Sequence, residues 1–123
     1  MKIPYWNADI TLYSRKAAAD GAISWKRSTR SGCFWQRRAS LSRSDGAEFK
    51  SASTICRIPA PYPDVQIGDI IVCGTVKDEI DEYAAGKRSA DLMEKYTGRI
   101  MQVSDLHYNQ RGIPFPDHLY AGG

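Results

Sequence analysis

The stretch Gln66-Ile67-Gly68-Asp69-Ile70-Ile71-Val72-Cys73-Gly74 decides the fold. Gly68-Asp69 makes a tight lead-in, a continuous apolar and mostly β-branched run follows, and Gly74 closes it. A run this short, bounded by glycines and rich in Ile and Val, predicts a strand buried on both faces. It is the most apolar segment of the chain, so other strands are expected to pair beside it and pack around it.

Upstream, Ala8 to Ser14 alternates, with Ala8, Ile10 and Leu12 on one side and Asp9, Thr11 and Tyr13 on the other. That period predicts a half-buried strand. Asp20-Gly21 supplies the positive φ of a hairpin turn, and Ala22 to Arg27 reads as a second strand. Ser31 to Arg38 reads as a third, dense in aromatic residues that suit a pleated, partly buried surface. Residues 39–46 are polar and read as a loop, and 47–58 is extended again. Pro59, Pro61 and Pro63 forbid ladder hydrogen bonds, so 59–64 reads as an irregular connection into the central strand.

Downstream, Asp78-Glu79-Ile80-Asp81-Glu82-Tyr83-Ala84-Ala85 places Ile80, Tyr83 and Ala84 at helical spacing behind four acids, predicting a helix ended by Gly86. Ser89 is the expected cap of a second short helix carrying Leu92 and Tyr96 and ending at Gly98. Residues 99–108 return to period two, 109–112 reads as a turn, and 118–121 as a last short strand. The sum is a mainly β domain spanning 1–123, with six to seven strands and a helical insertion before the C-terminal hairpin. Turn signals every ten residues or so predict a sandwich or small barrel, and closure into a barrel leaves fewer exposed edges.

Composition is that of a globular chain, 42% hydrophobic and 25% charged. No apolar stretch approaches the roughly 20 residues of a membrane-spanning helix, so no membrane partner is expected. The start, Met1-Lys2-Ile3-Pro4-Tyr5-Trp6-Asn7, lacks the apolar core of a signal peptide, which predicts a protein kept inside a cell. Cys33, Cys56 and Cys73 are an odd number in strand-like segments and read as buried free thiols. The net charge of +3 hides an asymmetry. Residues 1–50 hold 10 Lys+Arg against 4 Asp+Glu, and residues 51–123 hold 7 against 10. One half is therefore basic and the other acidic.

Catalytic chemistry finds little to stand on. Asp78, Glu79, Asp81 and Glu82 form the densest ionisable cluster, but the spacing lacks the glycine and alternating acids of a calcium loop. A solvated helix start is the simpler reading, and no metal or cofactor is expected. His107 and His118 on facing strands, with Asp105 or Asp117 nearby, would make an acid–base pair for a small hydrolase, the weakest alternative. The basic, aromatic stretch is another candidate. Trp25, Phe34 and Trp35 interleave with Arg27, Arg30 and neighbouring cations, as in barrels that stack single-stranded nucleic acid. Against this, the aromatics alternate with polar residues, as a core face does.

Several pieces together point elsewhere. The opening through Tyr13, then Gly32-Cys33-Phe34-Trp35, Thr54-Ile55-Cys56-Arg57-Ile58-Pro59, Gly68 to Val72 and Asp78 to Glu82 resemble a family of small, uncharacterised prophage proteins. These occur in Gram-positive bacteria, in the gene block for the virion head and neck. A weaker likeness, in the Gly-Asp lead-in, helical insertion and closing hairpin, is to head-closure (stopper) and neck proteins of long-tailed phages. The resemblance implies a small β-barrel in the head–tail connector, with no active site, working in a ring with itself and with portal, adaptor or tail proteins. It implies residence in the virion, host cytoplasm during assembly, and DNA contact in the channel. A tail-completion protein is the near alternative. A ring meets one patch with a different patch on the next copy. Arg37 and Arg38 are therefore expected to face Asp78, Glu79, Asp81 or Glu82 of a neighbour.

Overall fold

The computed structural model describes residues 7–44, 47–59, 61, 63–109 and 118–123; of 38–44, 47–52, 108 and 109 it describes the backbone. Seven strands and one helix follow in the order β1 (Ala8–Ala17), β2 (Ile23–Ser44), β3 (Ala47–Pro59), β4 (Ile70–Cys73), α1 (Ser89–Lys95), β5 (Ile100–Gln102), β6 (Asp105–Asn109) and β7 (His118–Gly122). All pairings are antiparallel, in a single sheet ordered β5-β4-β1-β2-β3-β7-β6. The mainly β class is as expected. The hydrogen-bonded ladder stops at β5 on one side and β6 on the other, so pairing does not close the sheet.

The central run behaves as its composition dictates. Ile70, Ile71 and Val72 are 1%, 0% and 0% exposed, and alternate between two cores. Ile71 joins Ile10, Leu12, Met101 and Val103 in an inner cluster that also takes Cys33, Cys56, Ile58, Leu119 and Ala121. Ile70 and Val72 join Tyr13, Val76, Ile80, Leu92 and Ile100 in an outer cluster. Each such side chain, fully buried, contributes about 1.5–3 kcal/mol, so a β4 flanked by both clusters anchors the domain.

The second and third expected strands are one. β2 runs for 22 residues, pairing with β1 as far as Cys33 and with β3 from Phe34 onward. The partner changes at a bulge where Ser31 and Gly32 oppose the single residue Asp9. Gly32 has φ 70°, a conformation open to glycine, so the strand bends there without ending. The bend explains how strands on both sides of β2 contribute to one inner cluster. Residues 39–44, read as loop, also continue this strand because each pairs with β3. The tip at 45–46 and residues 110–112 of the expected 109–112 turn lie outside the described residues, while Asn109 ends β6, paired with His118.

The expected helix over 78–85 does not form; this segment is a series of turns. A helix needs the carbonyl of residue 78 for the amide of residue 82. Here the Tyr13 hydroxyl donates to the Asp78 carbonyl at 2.7 Å, and the Asp81 amide goes to the Lys87 carbonyl at 2.8 Å. The acids thus favour local turns over a helix start. The second helix is present, but Arg88 rather than Ser89 is its N-cap, and the Asp91 carboxylate accepts from the Arg88 amide. Residues 99–108 split into β5 and β6, since Ser104 and Asp105 are both exposed and the inward parity shifts from Val103 to Leu106.

Candidate interaction surfaces

The acidic segment is built from the outer cluster upward. After Gly74 the chain crosses β1, and the Thr11 hydroxyl fixes it by donating to the Gly74 carbonyl at 2.7 Å and accepting from the Val76 amide at 3.0 Å. Val76 and Ile80 then bury against the sheet. Burial, with Asp78 beside it, pushes the Tyr13 hydroxyl up to about 12. The phenol therefore stays protonated and keeps donating to the Asp78 carbonyl.

Each of the four acids has work inside the chain. Asp78 accepts from Lys95 Nζ and from the Tyr96 hydroxyl, both at 2.6 Å. Those two hydrogen bonds hold its carboxyl below the usual carboxylate value. Glu79 pairs with Arg27 at 2.9 Å. Asp81 accepts from the Tyr83 amide at 2.9 Å, an Asx turn, and Glu82 accepts from the Ser89 amide at 2.6 Å at the start of α1. These carboxylates stitch segment and helix to the sheet. Glu79, 64% exposed, and the exposed Asp81 keep most outward surface.

Of the cations expected to meet such acids, Arg37 is exposed, on the β2 residue opposite Thr54 of β3. The side chain of Arg38 is outside the described residues; its backbone pairs with Ser53.

The aromatic and basic residues do not form one stacking surface. Trp25 packs against the outer cluster and Trp35 against the inner one. The indole Nε1 of Trp25 is buried with no hydrogen-bond partner among the described residues. Arg27, besides Glu79, donates to the Val76 carbonyl at 3.2 Å. Arg30 donates to the Pro61 carbonyl at 2.8 Å, on the other face of β2, across from Ile10. Phe34 is half-buried beside Arg57 across the β2–β3 ladder. The single strand-stacking platform that these residues predict is thus divided among separate faces.

His107 and His118 do sit on facing strands, β6 and β7, but with different surroundings. His107 is exposed, 3.1 Å from Asp105, with its ring centroid 5.6 Å from that of Tyr120. His118 is buried, and Arg57 Nη1 lies 3.0 Å from its Nε2 while the guanidinium stacks over Tyr120 at 5.0 Å. A guanidinium only donates, so that Nε2 is the unprotonated nitrogen. The arrangement fixes a strand pair, and among the described residues no nucleophile is hydrogen-bonded to His107. The thiols do not supply one: burial raises Cys33 to about 11, raises Cys56 well above the usual thiol value, and raises the half-buried Cys73.

Sequence reasoning passed over Asp69, Thr11 and Tyr13, the polar side chains that carry the long-range stitches. Their signal was faint: a polar residue next to a fully apolar run, where burial demands a hydrogen-bond partner.

Fold and surfaces together define a mainly β domain in which the carboxylates of the acidic segment bond within the chain. The chain belongs to a family of unknown function, DUF6751, whose model matches residues 5–123. No match is found among curated proteins or among solved structures.

Proposed function

We propose that the chain is a structural component of the head–tail connector of a phage or prophage virion, a head-closure or neck protein acting through protein–protein contacts in a ring. The observation that carries the reading is the β2–β3 ribbon. From Arg38↔Ser53 to Ser44↔Ala47 these strands pair with each other and with no third strand among the described residues. A two-stranded ribbon is marginal alone in water and gains stability when a partner covers it. Its free edges offer backbone donors and acceptors to another chain. The sequence likeness to prophage head–neck proteins points the same way, and a tail-completion role uses the same surfaces.

We also infer a barrel-like wrap. β5 and β6 are opposite ends of the sheet order, yet only Val103 and Ser104 separate them in the chain. At that corner the Ser104 amide donates to the Gly122 carbonyl at 2.8 Å, and Gly123 exchanges two backbone bonds with Thr54. The covalent chain bridges the edges that the ladder leaves open.

Partners on this reading are further copies of the chain and the portal, adaptor or tail proteins above and below. Arg37 and Arg38 of one copy meet Glu79 and Asp81 of the next, the two acids with most free surface. The test is assembly on the virion's own portal complex at physiological salt, followed by mass photometry. Reversing both arginines to glutamate should abolish the ring, and reversing Glu79 and Asp81 to lysine in the same chain should restore it. Assembly of the double-arginine variant at wild-type levels rejects this contact.

A further inference from the structure

A cleft of about 330 Å³ lies between β1–β2 and the 63–69 segment, away from the acidic segment. Its chemistry follows from register. Ser14 pairs with Lys26, Lys16 with Ser24, Leu12 with Ser28 and Ile10 with Arg30, so these residues share one face of the two strands. Near the centre of the molecule that face is apolar and belongs to the inner cluster through Ile10 and Leu12. Across from Ile10 and Leu12 the face carries Arg30 and Ser28, and toward the open end it becomes Ser14, Lys26 and Lys16, all lining the cleft.

The charges in this cleft are unequally occupied. Both carboxylates have partners: Asp69 accepts from the amides of Arg15 at 3.0 Å and Gln66 at 2.9 Å, and Asp64 accepts from the Gln66 side chain at 2.8 Å. Arg30 uses one nitrogen on the Pro61 carbonyl, leaving the rest of its fork. Lys16, Lys26 and the Ser14 and Ser28 hydroxyls make no side-chain hydrogen bond or ion pair among the described residues. Four cations, Arg15, Lys16, Lys26 and Arg30, line the concavity against two carboxylates, Asp64 and Asp69, so its charge is net positive, and low-dielectric walls strengthen its preference for an anion. Two free hydroxyls beside these cations supply more donors than the two oxygens of a carboxylate require. The volume is at the small end of ligand pockets, and Leu12 gives it an apolar floor.

We infer that this cleft binds a phosphate group, with Lys26, Lys16 and Arg30 as the cations and Ser14 and Ser28 as hydroxyl donors. The source is free phosphate, a free nucleotide or the backbone of a nucleic acid. The inference does not rest on the connector reading: the isolated chain can bind phosphate whether or not it forms rings, and rings can form without this cleft.

The experiment is NMR titration of the full chain with inorganic phosphate, a mononucleotide and a short single-stranded DNA, with anisotropy measurements on labelled DNA. Saturable shifts at the amides of Ser14, Lys26 and Ser28 are expected. Shifts with inorganic phosphate as strong as those with the mononucleotide assign the free anion, and shifts with the mononucleotide alone assign a free nucleotide; tighter, salt-sensitive DNA binding assigns a nucleic-acid backbone. Lys26→Gln, which breaks no described bond, should weaken binding about tenfold, as loss of one charge-assisted hydrogen bond does. Arg30→Gln should do the same, and Lys87→Gln, outside the cleft, should change nothing. The inference is overturned by the absence of saturable shifts at the cleft, by Lys26→Gln binding as wild type, or by an Asp/Glu-rich peptide binding as tightly.

Discussion

Replacing Asp69 should be among the most costly single changes in the domain, and the structure says why. Its carboxylate is 2% exposed and each oxygen accepts one backbone amide, Arg15 at 3.0 Å and Gln66 at 2.9 Å. β4 pairs with β1 no further than Ile70 with Tyr13, so the Asp69 side chain continues that ladder by one more bond, to Arg15. It holds the turn before β4 against β1 in the same stroke. Asp69→Ala removes both acceptors. A buried donor left without a partner costs about 1–3 kcal/mol, so two amides cost roughly 2–6 kcal/mol. Against a total stability of about 5–15 kcal/mol that is a large share. Asp69→Asn keeps one acceptor oxygen but sets an NH2 group against the other amide, so it remains clearly destabilising. Urea unfolding followed by tryptophan fluorescence measures the loss, and hydrogen exchange should show the amides of Arg15 and Gln66 newly unprotected. An alanine variant within about 0.5 kcal/mol of wild type, with both amides still protected, would refute the reasoning.

Asp78→Asn tests the stitching of the acidic segment through its pH dependence. The folded carboxyl is more acidic than the ordinary 3.8 because Lys95 and Tyr96 donate to it. Its stabilisation is therefore present above the ordinary value and is lost as pH falls through the lower folded one. The asparagine variant should lose about 1 kcal/mol near neutrality and show a flatter acid limb in thermal melts. Identical acid limbs in the two proteins would remove Asp78 from the account. At the β5–β6 corner, a Cβ added to Gly123 would run into the Gln102 carbonyl. Gly123→Ala should cost about 1–3 kcal/mol by overpacking and speed exchange of the Thr54 amide. Unchanged exchange there would mean that the corner is looser than its backbone bonds imply.

The fold was legible where one physical signal dominated. Uninterrupted β-branching between glycines located β4 and its burial on both faces, and Asp20-Gly21 located a turn in which Gly21 has φ 86°. The 22-residue β2 was not legible, because the polar residues 28–30 and 39–44 read as breaks, whereas here each pairs across a ladder and Gly32 permits a bend. The acidic segment misled for a related reason. Ile80 and the acids have helical spacing, but Tyr13, 65 residues away, takes the Asp78 carbonyl that a helix would need, and Arg27, 52 residues away, holds the Glu79 carboxylate. Such long-range capture leaves no local trace. The acid set was identified as a group, while its role in internal bonding appeared only with the fold. The basic cleft was missed altogether, since strand register brings Lys16, Lys26 and Arg30 to one face and linear order does not.

The connector proposal requires that the chain be encoded with a virion, and electron cryomicroscopy of that virion tests the proposal most directly. The account predicts density for the seven-stranded fold in a ring beneath the portal, with each β2–β3 ribbon lying on a neighbouring chain. Purified, infectious particles that lack the chain would contradict it.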